Sequence, residues 1–330
     1  MKKIAVLGAG AWGTALAIQL SQRHQVALWT RNSEHAAAMR NAGCNSQYLG
    51  DFPFNSGLTV EQDLAAAIDA ASLIISVVPS SAFRQMLADI RRTGCKAPLV
   101  WASKGLEPSS AKLPYEVAEE ELGDDHCWGV LSGPSFAAEL ARGLPTAVTI
   151  ASASGQFANE AGVLIHGGNL RVYTSHDVIG VSVGGAVKNV MAIAAGISDG
   201  MKFGSNARAA LITRGLAEMT RFGVALGGKK ETFMGLTGAG DLILTCTGEY
   251  SRNREVGLRL ASGQTLATIL QQLGHVAEGV HTAREVFNRA ATLGVEMPIT
   301  SEVNQVLSNG RSPREAVEYL LGREQKPEAL

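Results

Sequence analysis

The feature that most constrains this chain is a glycine spacing, Gly8-Ala-Gly10-Ala-Trp-Gly13. It stands directly behind the apolar run Ile4–Leu7 and opens a helix-patterned stretch, Trp12–Gln22. In that strand–turn–helix context each glycine has its own physical task. Gly8 permits the tight turn, Gly10 lets the backbone approach a pyrophosphate, and Gly13 lets the helix pack close to the strand. The helix N-terminus adds unpaired N–H groups and the positive end of a dipole, which together receive phosphate oxygens. The pattern predicts a dinucleotide-binding βαβ unit; a glycine-rich turn without a ligand is the plainer alternative.

The chain beyond it is consistent with that unit. Strand-like runs recur at Gln25–Trp29, Leu73–Val78, Leu99–Ala102, Trp128–Leu131 and Ala147–Ile150. Helix-like stretches lie between them at Asn32–Asn41, Leu64–Ala70, Ala82–Ile90 and Leu113–Leu122. Such alternation implies βαβ units and a parallel sheet, and near-continuous apolar strands suit a sheet covered on both faces. From about Ser182 the strands vanish and helical patterns follow one another at Val183–Ala195, Ala207–Phe222, Thr265–Leu273, Gly279–Leu293 and Ser301–Ser308. The 330 residues are enough for about two domains. The expected architecture is α/β: a Rossmann-type doubly wound sheet over residues 1–180, then an all-α domain over 181–330, with a frayed tail Arg323–Leu330.

Composition narrows the partner. A net charge of -1 with 18% charged residues gives no chain-wide field to hold nucleic acid or an anionic membrane, so a small molecule is expected. The four cysteines, Cys44, Cys95, Cys127 and Cys246, are widely spaced, as in a reducing cytoplasm. They and the histidines form no metal-ligand spacing, and no metal is expected. Ile4–Leu7 is too short for a signal-peptide core. The apolar stretch Val181–Ile197 carries Lys188 and Asn189 and falls short of the roughly 20 residues of a membrane span. The expected location is the cytoplasm.

The second strand ends in Trp29-Thr30-Arg31-Asn32. An NAD-selective site places a carboxylate about there to accept from the ribose 2′-hydroxyl. Arg31 stands there instead, suited to a 2′-phosphate, so NADPH is the expected cofactor, with NADH also usable. A solvated arginine at a strand end is the alternative.

Seven more motifs follow in order: Ser76-Val-Val-Pro-Ser80, Ser103-Lys-Gly-Leu-Glu107, Ser132-Gly-Pro-Ser-Phe-Ala137, Ala186-Val-Lys-Asn-Val190, Gly238-Ala-Gly-Asp241, Ser251-Arg-Asn-Arg254 and Ala277-Glu-Gly-Val280. Together with the glycine loop they closely resemble the bacterial NAD(P)-dependent glycerol-3-phosphate dehydrogenases, over residues 1 to about 310. That resemblance implies NAD(P)H-dependent reduction of dihydroxyacetone phosphate to sn-glycerol 3-phosphate, the backbone of membrane phospholipids. It also implies a homodimer.

Such a reaction needs a hydride donor, a proton donor for the carbonyl oxygen and a clamp for a dianionic phosphate. Lys188 lies among small and apolar residues, which depress a lysine pKa toward the range useful for acid–base work; by the resemblance it is the proton donor and acceptor. Its plainer reading is a stem that packs and an amine that reaches water. Lys104, behind the strand Leu99–Ala102, is a candidate to polarise the carbonyl, attract the substrate and contact the cofactor. Asn189 and Asp241 are candidates to hold the lysine ammonium and the substrate hydroxyls, although Asp241 also suits a turn or helix cap. The triplet Ser251, Arg252 and Asn253 suits phosphate, since arginine engages two oxygens at once; the resemblance has it meet substrate and cofactor together. Gly133, Ser135 and Ala137 match substrate-cleft and cofactor positions, although Gly133-Pro134 is also an ordinary turn signal. Ala11, Trp12, Asn32, Tyr48, Val276 and Glu278 match cofactor contacts, with Ala11 and Asn32 replacing the Ser and His frequent in the family.

Two other readings remain open on the sequence. One is a different two-domain dehydrogenase acting on a hydroxyacid or sugar acid, which would lack the Ser251–Asn253 clamp. The other is a non-catalytic dinucleotide sensor, which would not need the lysines.

Overall fold

The computed structural model describes residues 1–123, 126–273 and 277–325. By its contacts the chain divides into two compact units. The first comprises Met1–Ser103 and Pro114–Val178; the second comprises Lys104–Leu113 and Ile179–Leu330.

The first unit is built on β1 (Lys3–Leu7), β2 (Gln25–Trp29), β3 (Cys44–Asn45), β4 (Gly50–Pro53), β5 (Leu58–Glu61), β6 (Leu73–Ser76), β7 (Leu99–Trp101), β8 (Trp128–Ser132), β9 (Thr146–Ala151) and β10 (Leu170–Ser175). Eight of these form one sheet in the order β10-β9-β8-β7-β6-β1-β2-β5, while β3 and β4 make a small separate ribbon. β1 pairs in parallel with β2 on one side and β6 on the other, so the order reverses at β1. In doubly wound sheets ligands bind beyond the strand ends at such a reversal, and the glycine loop leaves from there.

The central strand is buried on both faces. Ile4 and Val6 belong to one cluster with Ala15, Leu16 and Leu20 of the helix Ala11–Ser21. Ala5 and Leu7, pointing the opposite way, are fully buried too. Further along, Trp101 packs against Phe83 and Trp128 with ring centroids 5.3 Å apart in each case.

The sheet departs from the expected parallel arrangement at one pairing. β9 runs antiparallel to β8, and β10 then pairs in parallel with β9. A parallel return must travel the length of a strand, about 16 Å for five residues. The helix in this connection, Ala137–Ala141, has five residues and rises only about 7.5 Å, so the chain turns back instead. The edge strands β5 and β10 were not expected: β5 alternates buried with less buried positions, and β10 is buried only at Leu170, so neither is a continuous apolar run.

The second unit is helical, and no strand occurs among its described residues. Its longest helix, Val178–Gly200, extends past both ends of the expected Val183–Ala195. At 23 residues it is long and apolar enough to cross a bilayer, contrary to the length argument made from sequence, but 94% of its most apolar window is buried inside the protein. Packing, and not shortness, identifies it as a core helix. Helices that were not expected, at Lys230–Phe233, Asp241–Thr247, Arg252–Ala261 and Pro313–Leu321, join the expected ones. Of the tail expected to fray, 326–330 lie outside the described residues.

Candidate active site

In the first unit the glycine loop is shaped by what its glycines lack. Gly8 holds φ +118°, and a Cβ there would lie 2.9 Å from the Val77 carbonyl oxygen. A Cβ on Gly13 would fall 2.0 Å from the Gly8 carbonyl oxygen, so helix and strand end approach backbone to backbone. Gly10 differs: a Cβ there would meet nothing within 4 Å. It is the N-cap of the helix Ala11–Ser21 and has no side chain to satisfy the first N–H groups. A helix start with no capping side chain and room beside its N-cap fits the pyrophosphate of a dinucleotide.

Of the other residues expected around a cofactor, Ala11, Trp12, Arg31, Asn32, Tyr48 and Ala137 belong to the same unit, whereas Lys104, Arg252 and Glu278 belong to the second. Ala11 and Trp12 open the helix, and the Trp12 indole N–H donates to the Ser135 hydroxyl at 3.1 Å, which donates to the Gly133 carbonyl at 3.1 Å. Gly133 is buried, and a Cβ there would press within 3.0 Å of Val148 Cα, so its smallness serves packing against β9. Ala137 begins the short helix Ala137–Ala141. Arg31 is exposed just beyond β2. Asn32 caps the helix Ser33–Ala42, its side-chain oxygen accepting the His35 N–H at 2.9 Å, so that oxygen is committed locally. Tyr48 packs edge-on to the His35 ring at 5.1 Å. Val276 lies outside the described residues.

The second unit holds a buried ionic cluster. Lys188 sits mid-helix on Val178–Gly200, farther from its start than the sequence suggested. Its ammonium donates to Asp241 Oδ1 at 2.6 Å and to the Thr245 hydroxyl at 3.0 Å. Lys104 donates to the other oxygen, Asp241 Oδ2, at 2.8 Å. Lys188 and Asp241 are almost wholly buried, whereas Lys104 retains some exposure.

Local backbone packing brings these side chains together. Four residues before Lys188, on the same helix face, is Gly184, where a Cβ would lie 2.3 Å from the Thr237 carbonyl oxygen. Thr237 in turn precedes Asp241 by four residues, within a single π-helical turn, Leu236–Gly240. One close backbone contact therefore sets the ion pair one turn further on. Thr245 follows Asp241 by four residues on the helix Asp241–Thr247, and its hydroxyl also donates to the Asp241 backbone carbonyl at 2.6 Å. Sequence reasoning missed Thr245, since its only signal was that spacing on a helix not expected there.

The cluster perturbs its own proton equilibria. Burial pushes the Lys188 ammonium down, the Asp241 carboxylate pulls it back up, and Lys104 pushes it down again, leaving it at about 8. Burial pushes the Asp241 carboxyl up, but the two ammoniums prevail and hold it below the usual carboxylate range. The outcome is an ionised carboxylate between two cations, one of which can lose its proton near neutrality.

The phosphate-clamp triplet begins the helix Arg252–Ala261. Ser251 is its N-cap, accepting the Arg254 N–H at 3.3 Å, and Arg252 is exposed beside Glu278. Asn253 donates to Asn189 Oδ1 at 3.0 Å and accepts the Gly279 N–H at 3.0 Å. Asn189 thus does not reach the lysine ammonium as expected: its oxygen accepts from Asn253, and one of its two amide hydrogens is directed to the Gly185 carbonyl at 3.5 Å. Asp241 holds the ammonium as expected, and Thr245 is its second partner in place of Asn189. Among the described residues no group of three or more His, Cys, Asp or Glu side chains is placed to hold a metal.

The two units match the two halves of one known family. The pattern of the NAD-dependent glycerol-3-phosphate dehydrogenase N-terminus matches residues 3–158, and that of the C-terminus matches residues 177–318. A glycerol-3-phosphate dehydrogenase [NAD(P)+] of Methylobacillus flagellatus is 73% identical over 328 residues, covering 99% of this chain and 100% of the relative. One of Nitrosospira multiformis is 56% identical, covering 99% of each. The crystal structure of glycerol-3-phosphate dehydrogenase from Coxiella burnetii superposes with a TM-score of 0.94 at 44% identity, covering 98% of this chain and 99% of that one. Structures of a ketopantoate reductase and a D-mandelate dehydrogenase, at 17% and 15% identity with TM-scores of 0.59, share the fold alone. With a dinucleotide cradle in one unit, a titrating ion cluster in the other and this similarity along nearly its whole length, the chain belongs to the NAD-dependent glycerol-3-phosphate dehydrogenase family.

Proposed function

We propose that this chain catalyses the reversible reduction of dihydroxyacetone phosphate to sn-glycerol 3-phosphate, using NADPH in preference to NADH. The observation that carries this reading is the Lys188 ammonium, buried on Asp241 and Thr245 and poised to give up its proton at about 8. NADPH, when bound, supplies the hydride. The carbonyl oxygen then needs a proton, and Lys188 is a general acid with a pKa near the working pH. In the oxidative direction the neutral amine takes the proton from the alcohol. Asp241 keeps the ammonium oriented and offsets its burial. Lys104, on the other carboxylate oxygen, adds a second positive charge to polarise the carbonyl.

Arg252 and the N-terminus of the helix Arg252–Ala261 supply donors for the phosphate. Asn189 and Asn253 each retain amide donor capacity for substrate hydroxyls. Arg31 supports NADPH over NADH, because it offers a cation to the 2′-phosphate where a carboxylate would repel it. The product would feed glycerophospholipid synthesis. The unbridged cysteines support a cytoplasmic enzyme, and the family resemblance supports a homodimer.

A spectrophotometric assay with both cofactors tests the reading. NADPH oxidation is expected to require dihydroxyacetone phosphate, with a lower KM for NADPH than for NADH. No oxidation with that substrate would overturn the reaction, and an equal or lower KM for NADH would overturn the preference.

A further inference from the structure

Lys104 stands at the head of the segment Lys104–Leu113, which belongs by its contacts to the second unit. Two residues of this segment, Ser109 at φ +73° and Ala111 at φ +54°, hold left-handed backbone although neither is glycine. Such conformations cost free energy and persist where the surroundings over-determine them. The segment closes on itself: the Ala111 N–H donates to the Glu107 carbonyl at 3.1 Å and the Glu107 N–H to the Lys112 carbonyl at 2.8 Å. Leu106 and Leu113 are fully buried and anchor it on both sides.

Two further ties arrive from a single helix, Glu278–Thr292, and they land on the two left-handed residues. The buried Glu285 carboxylate accepts the Ser109 N–H at 3.3 Å, and the Arg289 guanidinium donates to the Ala111 carbonyl at 2.9 Å. Glu285 and Arg289 lie one helical turn apart on the same face. At its own N-terminus this helix receives Asn253 through the Gly279 N–H. One rigid element therefore touches the clamp triplet at its start and the turn behind Lys104 farther along.

We propose that Glu285 and Arg289 are positioning residues for Lys104, bracing the strained turn from which its ammonium reaches Asp241. The effect on turnover rests on the proposed function, whereas the brace itself does not. Two measurements on the full-length protein separate them. In amide hydrogen exchange, Glu285→Ala is expected to speed exchange in residues 104–113 roughly 10- to 100-fold, the scale of a lost hydrogen bond to a charged group. Glu285→Gln, whose amide oxygen still accepts, is expected to stay within about threefold of the parent. Arg289→Ala reads the second tie in the same way and stands in should Glu285→Ala fail to fold.

In turnover of dihydroxyacetone phosphate, Glu285→Ala is expected to lower kcat/KM about tenfold while leaving NADPH affinity unchanged. In a Lys104→Ala background the same change should cost less than about twofold, because residues acting through one another are not additive. Unchanged exchange in 104–113 for both alanine variants would overturn the brace. Faster exchange with an undiminished loss in the Lys104→Ala background would overturn Lys104 as the group it acts through. Absence of turnover in the parent protein would overturn the proposed function and leave the brace to be decided by exchange.

Discussion

The two units make binding sites by opposite means. The glycine loop works by subtraction: side chains are missing at Gly8, Gly10 and Gly13, and the helix start carries no capping side chain. The cluster around Lys188 works by addition, since an ammonium and a carboxylate are driven into an apolar helical interior and a second, partly exposed ammonium is set against them. A site set by sterics tolerates no added carbon where backbones touch, as at Gly8 and Gly13, and does not titrate. A site set by charge in a low-dielectric interior tolerates small shifts of backbone but depends on pH and on the identity of each partner.

The comparison can be broken most sharply at Lys188. Lys188→Ala should lower turnover by roughly 10²- to 10⁴-fold, the usual contribution of a general acid, while fluorescence titration shows NADPH binding unchanged. Loss of NADPH binding would mean that the two sites are not separable. Next in size, Arg252→Ala removes a charged donor worth about 1.5–3 kcal/mol. The expected loss in kcat/KM for dihydroxyacetone phosphate is roughly 10- to 150-fold, and a loss under about threefold would remove Arg252 from the clamp.

Gly13→Ala sharpens the other side. Its Cβ would fall on the Gly8 carbonyl, so helix and loop must shift, and NADPH affinity is expected to fall about tenfold or more. The pH at which turnover inflects should stay where it was. The smallest effects concern that inflection. A proton donor must be charged, so kcat/KM for reduction should fall as pH rises through about 8, and kcat/KM for oxidation should rise through the same window. Thr245 accepts from the charged form, so Thr245→Val should move both inflections down by less than about one unit. A profile flat from neutrality through the inflection would exclude Lys188 as the donor.

The same contrast explains what could be read from sequence. The glycine loop is a local arrangement whose three positions lie within six residues, so its spacing shows directly. The six apolar strands were legible because a strand covered on both faces is apolar along its length. β5 and β10 were not, since neither edge strand is a continuous apolar run, and the direction of β9 depended on how far a five-residue helix can carry the chain. At the charged cluster, residue types were informative but pairings were not. Lys188 and Asp241 are 53 residues apart, and nothing local told Asn189, which pairs with Asn253, from Thr245, which holds the ammonium. One missed helix did carry a local signal. Ser312-Pro-Arg-Glu315 forms a capping box at the head of Pro313–Leu321.

The long helix Val178–Gly200 has a consequence for how the protein is made. While the chain is being synthesised, this segment leaves the ribosome before the helices that will cover it exist, and to the machinery that sorts nascent chains it presents the length and apolarity of an anchor. Lys188 stands almost at its midpoint. A lysine there opposes transfer into the bilayer by about 2.5–3.5 kcal/mol on the insertion scale. The charge that the folded enzyme is proposed to use for moving a proton thus also counts against misrouting during biosynthesis.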